Sequence, residues 1–152
     1  MIDVLFGTTN KTKRDRFQEL FKPVGLNILT LSDINIESIA EEKGETPTEN
    51  AKSKALFYVE KADIPTFAID YGLYIEKFSD DKQPGLFVRR IHGEDKEVSD
   101  EELLDYYVSE LEKVGGESPG VWVSAISLAI SPDEVYSEEF SEKTFLFLKR
   151  IQ

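Results

Sequence analysis

At 152 residues, with 40% hydrophobic and 32% charged residues, the chain has the size and composition of one folded domain. A formal net charge of −12 opposes binding to a nucleic-acid polymer, which needs clustered Lys and Arg, and no apolar run reaches the ~20 residues of a membrane-spanning helix. The absence of Cys excludes disulfides and thiolate metal sites, and a single His, His92, excludes a multi-histidine zinc site. The chain enters Ile2–Phe6 without a basic region and a long apolar segment, so the cytoplasm is the expected compartment. Acidity still admits a small nucleotide carried as its magnesium complex, because the metal offsets much of the phosphate charge.

Ile2–Phe6 reads as a buried strand. The helix that follows spaces Phe17, Leu20, Phe21 and Val24 as one apolar face, with Gly25 suited to its carboxy-terminal cap. Between strand and helix lies Thr8-Thr9-Asn10-Lys11-Thr12-Lys13. Small polar residues at a strand-to-helix junction aim free backbone N–H groups at whatever sits there, and Lys13 adds a charge suited to a phosphate oxygen. The alternative is that Thr9 or Asn10 only caps the helix and Lys13 is solvated. The spacing lacks the glycines of a Walker A loop.

Leu26–Leu31 reads as a second strand and residues 32–44 as an acidic connection, exposed at least in part. Thr46, Pro47 and Glu49 form a capping box with proline at the first helical position. Ala51, Ala55, Tyr58, Val59 and Ala62 then make one apolar stripe, with Asn50 and Lys54 side by side along its edge. Thr66–Ile69 is predicted as a short strand, with Gly72 marking a turn before Leu73–Ile75. That places Asp70 at the tip of an apolar strand, where a buried charge requires a partner. Glu42, Glu49 and Asp70 are the acids available to magnesium, which favours one or two carboxylates plus water and phosphate oxygens. Glu49 can equally be only a cap, and Glu41 and Glu42 only surface acids. Lys54 is either a phosphate contact or an exposed helix residue.

Residues 79–85 read as a loop, and Ser99 with Glu102 as a second capping box. The helix behind it carries Leu103, Leu104, Tyr107, Val108 and Leu111 and ends at Gly115-Gly116. Val121–Ile130 alternates small or branched residues with Trp122, Ile126, Leu128 and Ile130, the pattern of a long strand covered on both sides. Residues 144–151 read as its hairpin partner, reached through Ser131-Pro132-Asp133-Glu134 and an acidic stretch. His92 reads as a surface residue, and Trp122, Phe145 and Phe147 as core or interface residues. Alternating strands and helices followed by a hairpin indicate an α/β domain of three layers with a mixed sheet.

In this order the segments resemble the family of inosine- and xanthosine-triphosphate pyrophosphatases. The matching motifs are Thr8-x-Asn10-x-x-Lys13, Glu42-x-Gly44-x-Thr46, Glu49-Asn50-Ala51 with Lys54-Ala55, Ala68-x-Asp70-x-Gly72-Leu73, and Pro84-Gly85 with Arg90. The resemblance implies an elongated fold with a nucleotide cleft, and magnesium-dependent hydrolysis of a nucleoside triphosphate to monophosphate and pyrophosphate by a homodimer. It implies Asp70 as proton acceptor and Glu42, Asp70 and nearby Glu49 as the magnesium ligands. Thr8, Thr9, Asn10, Lys13, Asn50, Lys54, Tyr71 and Arg90 would then contact substrate. The chain departs from the family pattern at Ile69, Tyr71 and Arg16, where an acid, a serine and a glutamate are usual. It also lacks the family's later Phe-Gly-Tyr-Asp and Ser-His-Arg segments, which implies a single domain over residues 1–152 shortened at its carboxy end. These departures motivate an alternative, a nucleotide-binding or regulatory module of the same fold that does not turn over.

Overall fold

The computed structural model describes residues 1–8, 11–92 and 97–148. Among these described residues five strands and three α-helices follow one another as β1 (Ile2–Phe6), α1 (Lys11–Phe21), β2 (Leu26–Leu29), α2 (Pro47–Ala62), β3 (Thr66–Ile75), α3 (Asp100–Glu112), β4 (Glu117–Ser131) and β5 (Glu134–Phe147). The strands form one sheet in the order β2-β1-β3-β4-β5. β1 runs parallel to both β2 and β3, whereas β4 and β5 are joined through Pro132 and Asp133 alone, a link only an antiparallel hairpin permits. The sheet is therefore mixed, as the pattern of elements requires.

The chain divides into two compact units. The first comprises Met1–Asp70 and Ser124–Glu139, and its core follows from strand alternation. Val4, Phe6 and Phe67 face one side with Ile69, Ile126 and Leu128, where Phe17 and Phe21 of α1 cover them. The Phe6 and Phe67 rings stack at 4.5 Å between centroids. Leu5 packs on the other side against Tyr58 of α2, and Ala68 and Ala129 pack against Ala55 and Val59. Small residues at these positions let α2 approach closely. Within this unit the sheet has a helix on each face, the layering expected from sequence.

The second unit comprises Tyr71–Val123 with the described residues from Phe140 onward. Leu73, Ile75, Phe78 and Leu111 are buried there, with Tyr107, Trp122, Leu146 and Leu148 against them.

Several boundaries differ from the sequence reading. Leu20 and Val24 are 62% and 69% exposed: Phe17 and Phe21 are the α1 residues packed on the core cluster, and Pro23, lacking an N–H, turns the last residues into a 3-10 turn. Gly25 does supply the left-handed cap, at φ 80°. β2 ends at Leu29, two residues early, where Thr30 and Asp33 begin a turn of their own. No turn interrupts β3: it runs unbroken from Thr66 to Ile75, so Asp70 lies mid-strand and not at a tip. Gly72 answers to a different demand. A Cβ there would stand 3.1 Å from the Gly85 carbonyl oxygen, on a segment that exchanges two backbone hydrogen bonds with Leu73. The acidic stretch before residue 144 is itself strand, so β5 begins at Glu134. Ranged along an edge strand, Glu138, Glu139 and Glu142 discourage pairing with a further chain.

Candidate functional site

Helix α2 begins as its sequence specifies. The Thr46 hydroxyl accepts from the Glu49 N–H at 3.1 Å, and Pro47 occupies the first turn. Glu49 reaches one residue beyond the usual return of a capping box: its Oε2 accepts from the Glu45 N–H at 2.7 Å. Asn50 Oδ1 accepts from the Gly44 N–H at 2.7 Å, and the Ala40 N–H donates to the buried Tyr58 hydroxyl at 2.9 Å. The connection from Ala40 to Gly44 is thereby fastened to the helix at both ends, with Glu42 between the two fasteners. Gly44 is required for this: a Cβ there would lie 2.6 Å from Asn50 Oδ1 and 2.8 Å from Glu49 Cβ. At Gly7 the same constraint recurs, since a Cβ would stand 2.9 Å from the Tyr58 ring.

Two turns into α2, Lys54 reaches into this corner. Its Nζ donates to Glu42 Oε1 at 2.9 Å and to the Ile69 carbonyl oxygen at 3.1 Å, and stands 3.8 Å from Asp70 Oδ1. The Lys54, Asp70 and Glu42 side chains are 14%, 16% and 28% exposed, so the trio is largely withdrawn from water yet still reachable. Two carboxylates and one ammonium give it a formal charge of −1. Charge-assisted hydrogen bonds at this burial hold more firmly than surface pairs. The donors are hard oxygens, the chemistry magnesium takes, and two carboxylates match the number magnesium uses beside phosphate.

The remaining sequence-selected site residues divide four ways. Thr8 is half-buried just past β1, and Lys13 is exposed in the first turn of α1. The Gly7 N–H donates to the Phe67 carbonyl at 2.9 Å, so the chain leaves the carboxyl end of β1 alongside the residues of β3 that lead to Asp70. Thr9 and Asn10 lie outside the described residues. Asn50 is 3% exposed and occupied by Gly44, so it acts through the loop that carries Glu42. Glu49 is likewise engaged at the helix start, and among the described residues no group of three acidic or imidazole side chains gathers to hold a metal. Tyr71 and Arg90 belong to the second unit, where the Tyr71 ring meets Trp122 edge-on at 6.1 Å and the Arg90 N–H closes a turn on Phe87. His92 is exposed and pairs with Glu102 at 2.9 Å.

A separate charged turn lies beside α1. The Asp33 carboxyl is held below its usual range, first by the Thr30 backbone N–H, then by the Thr30 hydroxyl, with Arg14 and Lys11 adding to the effect. The first turn of α1 thus carries its cations toward the turn after β2. The sequence places Tyr58 in an apolar stripe and Gly44 in a motif without giving either a task at the loop, and it gives the Ile69 carbonyl none. Tyr58 was detectable in principle, since a buried tyrosine hydroxyl demands a partner, but the partner's identity was not. A backbone carbonyl carries no residue-type signal at all.

A model of the Ham1 family matches residues 4–144. A relative from Thermoanaerobacter sp. (strain X514), named dITP/XTP pyrophosphatase, is 34% identical over 97 residues, covering 64% of this chain and 48% of its own length. One of the same name from Photobacterium profundum is 30% identical over 117 residues, covering 77% and 57%. The chain spans about half the length of the curated relatives it matches. Among solved structures, the Staphylococcus aureus Ham1 protein superposes with a TM-score of 0.74 at 22% identity, over 93% of this chain and 70% of that one. A HAM1 protein from Coxiella burnetii gives 0.75 at 23%, over 93% and 72%. These two likenesses speak for the fold. Among the described residues no helix is long and apolar enough to cross a membrane.

Proposed function

The chain belongs to the Ham1 family, the same family its motifs resemble, and from that premise we propose that it hydrolyses a nucleoside triphosphate to monophosphate and pyrophosphate with magnesium. The observation that carries this reading is the Glu42–Lys54–Asp70 trio, held by a loop fastened to α2 at Ala40 and Gly44. Glu42 and Asp70 would hold the metal, which when bound supplies charge neutralisation at the phosphates. Asp70 accepts a proton from water as its oxygen attacks the α-phosphorus. The bond from that phosphorus to the bridging oxygen breaks, and pyrophosphate departs with the electron pair. Lys54 donates to a phosphate oxygen, while Thr8 and Lys13, with Thr9 and Asn10, orient the polyphosphate at the start of α1. Glu49 and Asn50 keep the loop in place. This division suits phosphoryl transfer, where positioning and electrostatics supply most of the acceleration.

The test is release of pyrophosphate from a panel of standard and modified triphosphates with magnesium, beginning with dITP and XTP, the nucleotides in the relatives' names. Asp70→Asn is expected to lower turnover by about 10²–10⁴, the range for loss of a general base. Turnover by Asp70→Asn equal to that of the parent would overturn the assignment. The proposal extends to a homodimer in the cytoplasm, and light scattering checks the dimer.

A second reading is a binding module without turnover. It draws on Ile69, which packs among Phe6 and Phe67 at a position where the family pattern has an acid. Calorimetry separates the two, since nucleotide binding with no pyrophosphate released favours the module.

A further inference from the structure

We propose that Lys54 is a built-in counter-cation: its ammonium holds Glu42 and Asp70 together until a divalent metal displaces it, and the displaced ammonium then engages a phosphate oxygen. This rests on the metal-dependent reading above and adds an order of events to it.

The geometry makes the two cations rivals. Lys54 Nζ lies 2.9 Å from Glu42 Oε1 and 3.8 Å from Asp70 Oδ1, the acids a metal would need. Magnesium draws its oxygens to about 2.0–2.1 Å, so a metal between these carboxylates would stand within a few ångströms of the ammonium. Like charges that close, in a corner where the side chains are 14–28% exposed, repel strongly. Lys54 is free to yield by its stem, because a flexible four-carbon chain on a helix can swing its head without moving the backbone. What it would leave behind is the Ile69 carbonyl, which now accepts from it at 3.1 Å.

Two consequences follow. A bare divalent ion must expel an ammonium from a charge-assisted hydrogen bond and gains no new partner for it, so it binds weakly. A metal already attached to a polyphosphate brings acceptors for the released ammonium, so the complex binds well in one step. The site accordingly selects metal and polyphosphate together and discriminates against free metal.

Manganese serves as the probe for metal and tripolyphosphate for the chain of phosphates, and binding is read by calorimetry and by the manganese spin-resonance signal. Lys54→Met is expected to tighten manganese alone by about tenfold and to weaken manganese–tripolyphosphate by about tenfold, a factor worth about 1.4 kcal/mol in each direction. Lys54→Gln, which keeps a donor for the Ile69 carbonyl but not the charge, is expected to move both affinities the same way and serves if Lys54→Met does not fold. A merely structural lysine would weaken both ligands together, and that outcome overturns the inference. So does unchanged manganese affinity in both variants. If the parent protein binds neither manganese nor its tripolyphosphate complex, the metal-dependent reading itself falls and the inference with it.

Discussion

Helices α2 and α3 start with the same chemistry and end in different employment. In each, a hydroxyl at the cap accepts from the N–H three residues on: Thr46 from Glu49 at 3.1 Å, Ser99 from Glu102 at 3.2 Å. In neither does the glutamate return to its own cap. Glu49 turns back to the Glu45 N–H, whereas Glu102 turns outward to His92. Beyond the first turn the two diverge. α2 buries Pro47, Asn50, Ala51, Ala55, Tyr58 and Val59, while α3 buries Leu111 alone. Capping decides where a helix begins, and tertiary packing decides whether it can hold a charged cluster in register. Each helix has a loop bonded to it, Ala40–Gly44 on α2 and Val88–His92 on α3, but of the two only α2 sets a lysine between two carboxylates.

The contrast breaks first at Tyr58. Truncating this buried ring and stranding the Ala40 N–H predicts that Tyr58→Ala loses about 3–5 kcal/mol of stability, measurable by urea unfolding, and that polyphosphate binding weakens as Glu42 loses its support. Equal binding in parent and variant would separate the loop from the site.

On α3 the corresponding tyrosine sharpens the comparison by pH. Burial first, and then the neighbouring Tyr106, push the Tyr107 hydroxyl up to about 12, where it donates to the Val88 carbonyl. The folded state therefore keeps a proton that the unfolded state releases near the ordinary value of 10. Stability from this group is complete below pH 10 and is lost as pH rises toward 12. Solvent screens a half-buried hydroxyl, so the loss stays below about 3 kcal/mol. Denaturation midpoints across that window should fall in the parent and fall less in Tyr107→Phe.

The caps come next, and there the helices should agree. Thr46→Ala and Ser99→Ala each predict a loss of about 1 kcal/mol in thermal or urea unfolding. Only Thr46→Ala should also weaken polyphosphate binding, because only that cap adjoins the loop of Glu42. Smallest is Leu104→Ala: at 64% exposure it should change stability by less than about 0.5 kcal/mol. A larger loss would mean that the apolar face of α3 is covered in solution.

Legibility in the sequence followed the range of the interaction. β1, the start of α2 at Thr46-Pro47, the start of α3 at Ser99 and the long β4 were readable because period, cap and proline act within a few residues. Asp70, Lys54 and Glu42 were readable as types matching a family pattern, and the structure brings these three together. Gly72 misled because glycine marks turns and close approaches alike, and the close approach is to Gly85, thirteen residues on. The tasks of Asn50 and Glu49 also stayed hidden, since a side chain does not announce whether loop or ligand will take its hydrogen bonds.

By itself the sequence determined the alternation that sends Phe67 and Ile69 to one face of the sheet and Ala68 to the other, since side-chain direction in a strand depends only on position. The tertiary structure alone decided that an ammonium from α2, a carboxylate from a loop and another from β3 share one corner. The reason is range. Their attraction is short compared with the stretches of chain that separate them, so it acts only after the apolar face of α2 has settled on the sheet.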